Sequence, residues 1–64
     1  MKKPSQISIL GYVIKIKYVD SIDDGKILGT YEDDKKLITV VKNSDWHKTL
    51  VHEAIHGALI LSGV

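Results

Sequence analysis

The sequence predicts a small α+β domain, an antiparallel sheet of two hairpins with 3–4 strands followed by a single C-terminal helix. Three observations carry that expectation. Apolar residues alternate with polar ones from Ile7 to Tyr18, a β-prone run spans Leu37 to Val41, and the proline-free stretch from Trp46 to Leu61 follows a group of capping residues. The sheet is expected over residues 6–42 and the helix over 45–62.

Ile7 and Ile9, then Tyr12, Ile14, Ile16 and Tyr18, repeat with period two, while Lys15 and Lys17 face the other way. That alternation describes a half-buried strand pair, with Leu10-Gly11-Tyr12 as the tight connection. Asp20 to Lys26 is rich in turn formers and reads as a loop. Ile27 to Tyr31 forms a third strand, and Glu32 to Lys36 turns the chain into Leu37-Ile38-Thr39-Val40-Val41, the most β-prone run. The tyrosines Tyr12, Tyr18 and Tyr31 are expected to be half-buried in this sheet.

Asn43 or Ser44 can cap the helix, and Asp45 lies where the helix dipole favours negative charge. Gly57 is the weak spot within the helix and Gly63 its expected stop. The helix is apolar nearly all round, through Leu50, Val51, Ala54, Ala58, Leu59, Ile60 and Leu61. Such a helix expects more cover than one small sheet supplies.

Composition narrows the setting. A chain of 64 residues makes one domain at most and buries only about 60% of its unfolded surface. Small scaffolds are usually supported by disulfides, a metal or a partner. Cysteine is absent, which leaves metal or partner and excludes thiolate chemistry. The nine cationic side chains are all lysine, against eight acidic residues, giving a net charge of +1. Neither the weak field nor the lack of arginine favours nucleic acid. No secretory leader is expected after Met1-Lys2-Lys3-Pro4, and the apolar run from Leu50 to Val64 is too short to span a bilayer. The chain therefore reads as soluble and intracellular.

The chemistry concentrates in His52-Glu53-Ala54-Ile55-His56. Residues four apart lie one turn above each other, so His52 and His56 aim their imidazoles at a common point, as two ligands of a zinc ion would. Glu53 lies about 100° round the helix from His52. From there its carboxylate can act as general base on a water activated by the metal, and later protonate the leaving amine. By chance this pattern arises in on the order of one in a thousand chains of such length. The competing structural account is a pair of solvated histidines on an exposed face. The uncharged neighbours Thr49, Leu50, Val51, Ala54, Ile55, Gly57 and Ala58 weigh against it, because buried polar groups need a partner.

Other candidates are weaker. His47, five residues before His52, falls on roughly the opposite side of the helix and reads as a surface or capping residue. Trp46 reads as a packing anchor. Asp20, Asp23, Asp24 and Gly25 lack the spacing and terminal glutamate of a calcium loop and read as a solvated turn.

Taken together, the early Tyr-Val-Ile-Lys-Ile, the Gly-Thr-Tyr turn region, the Leu-Ile-Thr-Val-Val strand and Thr-Leu-Val-His-Glu-Ala-Ile-His-Gly-Ala resemble the N-terminal half of phage- and prophage-encoded zinc metallopeptidase-like proteins. These belong to the broad zincin group that includes the immunity-repressor peptidases of mobile elements. The resemblance implies a single zincin-like domain over 1–64, incomplete, with zinc held by His52 and His56 and Glu53 as general base. It also implies that Leu37 to Val41 lies beside the active-site helix, where zincins often present a sheet edge to an extended peptide. A phage origin would place the protein in the host cytoplasm.

The family pattern departs at the end. A third zinc ligand, usually a glutamate on a further helix, has no counterpart in Leu59 to Val64, and the position six residues after His56 is Ser62 rather than histidine. Three functions stay open on these grounds. One is a zinc-dependent peptidase, incomplete as a single chain, acting on a peptide or protein substrate. Another is a non-catalytic accessory module with a protein partner covering the C-terminal helix. The third is a homodimer in which His52 and His56 of both chains build a structural four-histidine zinc site.

Overall fold

The computed structural model describes residues 3–63, which form a four-stranded sheet with one helix across it. The strands are β1 (Gln6–Ile9), β2 (Tyr12–Val19), β3 (Gly29–Glu32) and β4 (Leu37–Val41), and α1 covers Trp46–Leu61. The α+β class and the sheet-then-helix order are those the sequence predicts.

Both expected hairpins are present, β1 with β2 and β3 with β4, each antiparallel. The join between them differs from the expectation. The order is β1-β2-β4-β3, and β2 pairs with β4 in parallel, from Lys15↔Leu37 to Val19↔Val41, so the sheet is mixed. Period-two alternation states which face a side chain takes, but it carries no information on strand direction or order. The chain leaves β2, crosses the loop from Asp20 to Leu28, and returns through β3 at the edge. That path leaves the most β-prone run, β4, in the centre, where Ile38 and Val40 are fully buried. β3 also starts at Gly29 rather than Ile27. Ile27 instead bridges Ile22 across the loop, whose Asp23–Gly25 segment is a short 3-10 turn.

β2 is long enough to serve two partners. Its first half, Tyr12 to Lys15, pairs with β1, and its second half, Lys15 to Val19, pairs with β4. Ile14 and Ile16 face the helix and join Ile38, Val40 and Leu50 in the core. Tyr18 and Tyr31 pack half-buried against that core, whereas Tyr12 is exposed, contrary to expectation. Tyr12 sits beside the hairpin turn, beyond the reach of α1.

In that turn Leu10 and Gly11 both take positive φ, 52° and 83°, the geometry of a two-residue type I′ connection. Glycine is at ease there. Leucine is not, since Cβ crowds the carbonyl at a cost of roughly 1–2 kcal/mol. Leu10 is also 63% exposed and returns little by burial. Leu10→Asn should therefore stabilise the domain by about 1 kcal/mol and raise Tm by about 4–8 °C. An unchanged or lower melting temperature would show that this turn carries no such strain.

The β3–β4 turn is locked by side chains. The Tyr31 hydroxyl donates to Asp33 Oδ1 at 2.9 Å, and Lys36 Nζ donates to the Asp33 carbonyl at 2.7 Å. The bond from Tyr31, then a second bond from Lys36 Nζ to the same Oδ1 at 3.3 Å, holds the Asp33 carboxyl below its ordinary range. A depressed carboxyl stabilises the fold above its unfolded pKa, and that contribution disappears as pH falls through the folded value.

α1 rests on the sheet through Trp46, Leu50, Glu53, Gly57 and Leu61, spaced so that all five fall on one face. Trp46 acts as the expected anchor, with its ring edge-on to Tyr18 at 6.0 Å. The residue at the helix start is Asp45, which makes no side-chain cap, while Asn43 Oδ1 accepts from the Asp45 amide at 2.9 Å. Asn43 thus organises the entry turn, while neither it nor Ser44 occupies the cap position expected of one of them. Gly63, at φ 78°, follows the last turn. No helix among the described residues is long and apolar enough to cross a membrane.

Candidate functional site

One turn of α1 presents the three residues of the motif in three different settings. His52 and His56 are exposed, contrary to the buried setting expected from their uncharged neighbours, because Val51 and Ile55 beside them also face away from the sheet. Their ring centroids lie 4.5 Å apart. Glu53 points toward the sheet, with only 9% of its side chain exposed. Helix geometry produces this division, because residue 53 is rotated toward β3 while 52 and 56 stay on the outer side. His56 bridges the two settings, with Nδ1 3.5 Å from Glu53 Oε1. That separation exceeds a good hydrogen bond and is an electrostatic contact.

The helix comes this close to β3 because β3 offers little side chain beneath it. A Cβ on Gly29 would stand 2.5 Å from Thr49 Cγ2, 3.1 Å from the Thr39 carbonyl and 3.2 Å from Glu53 Cγ. Gly29 is thus the floor on which the Glu53 stem lies. Farther along, Gly57 plays the reciprocal part, since a Cβ there would meet the Tyr31 ring at 3.1 Å. The glycine that looks like a weak point in the helix is a contact point for β3. Its propensity cost of about 1 kcal/mol is exchanged for close approach.

Between α1 and the start of β3 lies an open cleft of about 380 Å³, lined by Leu28, Gly29, Lys48, Thr49, His52 and Glu53. Two of the three motif residues face into it, and β3 borders it as an edge strand with no neighbouring strand on its outer side among the described residues. The edge that flanks the site is therefore β3. The expectation that Leu37 to Val41 lies beside the helix holds, since β4 packs against α1, but β4 is an inner strand and offers no edge.

His52, Glu53 and His56 can hold a metal ion: one donor atom from each lies within 4.8 Å of the others. An ion at the two rings would give the Glu53 carboxylate, which reaches the cleft, a cationic neighbour. Among the described residues no other group of three such donors is brought together. His47 stays apart, exposed and edge-on to Trp46 at 5.8 Å, and the Asp20–Gly25 loop gathers no donor set.

The sequence reading did not single out Gly29, Lys48 or Thr49 as parts of the site. Lys48 and Thr49 were in principle visible, four residues before His52 and Glu53 respectively on the same helix. For Gly29 the available signal was a glycine within a strand, which often marks close approach of another backbone. No family model matches the chain, and neither do any curated protein or solved structure. The site therefore rests on its own geometry.

Proposed function

We propose that this domain is a zinc-dependent, metallopeptidase-like protein acting on peptide bonds, with His52 and His56 as metal ligands and Glu53 as general base. The observation that carries the reading is the division of labour within one helical turn. Two imidazoles converge on the outer side, and a carboxylate within 4.8 Å of them is turned toward a cleft. Zinc held there would supply Lewis acidity toward a carbonyl and a water nucleophile at neutral pH. The chain's own residues supply the rest. Glu53, whose stem lies against Gly29, would take a proton and return it to a leaving amine. The free edge of β3 suits an extended peptide, whose backbone can pair with it as an added strand. Within the same reading the protein is phage-encoded and works in the host cytoplasm.

The donor set is short by one. Zinc in catalytic sites usually keeps three protein ligands, and with Glu53 as base a third must come from beyond the two histidines. The exposed apolar side chains Val51, Ile55, Leu59 and Ile60, all on α1 and 49–58% accessible, favour a second reading. In that reading the scaffold is an interaction module whose partner covers the helix, with or without turnover.

Zinc binding is the first test. Native mass spectrometry and calorimetric titration of the full chain should detect zinc, and His52→Ala or His56→Ala should lose it while retaining the fold by circular dichroism. Equal zinc uptake by the wild type and both variants would remove the assigned ligands. A zinc-loaded chain that cleaves nothing in a peptide library would leave the interaction-module reading in place of hydrolysis.

A further inference from the structure

We propose that a second copy of this chain covers the outer face of α1, so that His52 and His56 of both copies enclose one zinc ion and hold the site in a closed, resting form. The proposal rests on the zinc-binding half of the function above, and it assigns that site both a partner and a regulator.

Two independent features of α1 point to the same occupant. The first is the donor count. Each chain contributes two exposed imidazoles 4.5 Å apart at the ring centres, and a structural zinc site takes four donors in a tetrahedron. A two-fold axis beside the two rings doubles two donors to four, with no other residue required.

The second feature is the face around those rings. Lys48, His52, Ile55, Leu59 and Ser62 follow one another at spacings of four, three, four and three along the exposed side of the helix, the seam spacing of paired helices. Ile55 and Leu59 are 56% and 49% exposed on this seam. From Thr49 to Gly63 the sole charged residue is Glu53, and it turns toward the sheet. The seam therefore meets a copy of itself without like charges, provided the two Lys48 side chains stay apart. An antiparallel crossing centred between His52 and His56 does this, because it sets Lys48 opposite Ile60 of the partner subunit. The two lysine positions then lie roughly 18 Å apart along the helices, at 1.5 Å per residue. A parallel pair would place the lysines side by side.

Four imidazoles around one ion leave no open coordination position. The paired form thus stores zinc without hydrolytic competence, and separation of the chains opens the site toward the cleft. Glu53 lies off the seam in both forms.

Native mass spectrometry and light scattering of the full chain, with zinc and with a chelator, test this. The expected result is a twofold rise in mass with zinc, one ion per two chains, reversed by the chelator. Ile55→Lys, at an exposed position that folding does not need, should abolish the mass increase while leaving the circular dichroism spectrum unchanged. His52→Ala should abolish it as well. A monomer carrying one zinc would overturn the paired form and leave the proposed function standing. A dimer that persists in chelator or in His52→Ala would show association unrelated to the metal and also overturn it. Failure to bind zinc in any form would remove both proposals together.

Discussion

Glu53→Gln should lower peptide hydrolysis by about 10²–10⁴-fold, the usual contribution of a positioned general base, and leave zinc affinity close to that of the wild type. The substitution keeps the shape of the side chain in its slot above Gly29 but removes its capacity to accept a proton. The nearby contact from His56 Nδ1, at 3.5 Å in the wild type, loses its charge but not its neighbour. Folding should not suffer, because a neutral amide is less costly than a carboxylate in a position only 9% exposed. The decisive comparison is thus between hydrolysis and metal content of the same preparation. Hydrolysis surviving at the wild-type rate would show that Glu53 is not the base. Loss of zinc together with activity would show that the carboxylate serves as a ligand instead.

The motif was legible because it depends on one regular element. A spacing of four on a helix fixes two side chains on a common side, and α1 runs over Trp46–Leu61, within the range that its capping residues and lack of proline predict. The two hairpins were legible for a similar reason, since turn residues and period-two alternation act over a few residues. The parallel join between β2 and β4 was not, because it depends on which strands meet after a loop of nine residues from Asp20 to Leu28. The burial of Glu53 against β3 was equally hidden. It follows from Gly29 lying under the helix, a contact between segments 24 positions apart in sequence. The apolar surplus of α1 was visible as composition. Its division into a packed face and an outer face, which separates Leu50 from Ile55, required the sheet to be in place.

Ile38→Ala is expected to lower the stability of the domain by about 2–5 kcal/mol, part of which zinc restores. Ile38 is fully buried on β4, paired with Ile16 on one side and Tyr31 on the other, and faces α1. Among the described residues three large side chains are completely enclosed, Ile14, Ile38 and Val40, so removing one takes away a substantial part of the core. A buried Ile→Ala change costs about 2–5 kcal/mol, against a total stability of roughly 3–10 kcal/mol for a domain of this length. Ile38→Val, losing a single methylene, should cost about 1 kcal/mol and stay folded. Zinc at a concentration 100-fold above its dissociation constant would restore about 2.7 kcal/mol through preferential binding to the native state. The effect on Ile38→Ala should therefore be large and metal-dependent, measured as Tm or urea midpoint with and without zinc. The same zinc-dependent rescue should vanish when His52→Ala is added, because the ion then has no native site to favour. Rescue that persists in the double variant would place the zinc elsewhere. A small loss of stability in Ile38→Ala, below that of Ile38→Val, would mean that β4 is not the centre of the core.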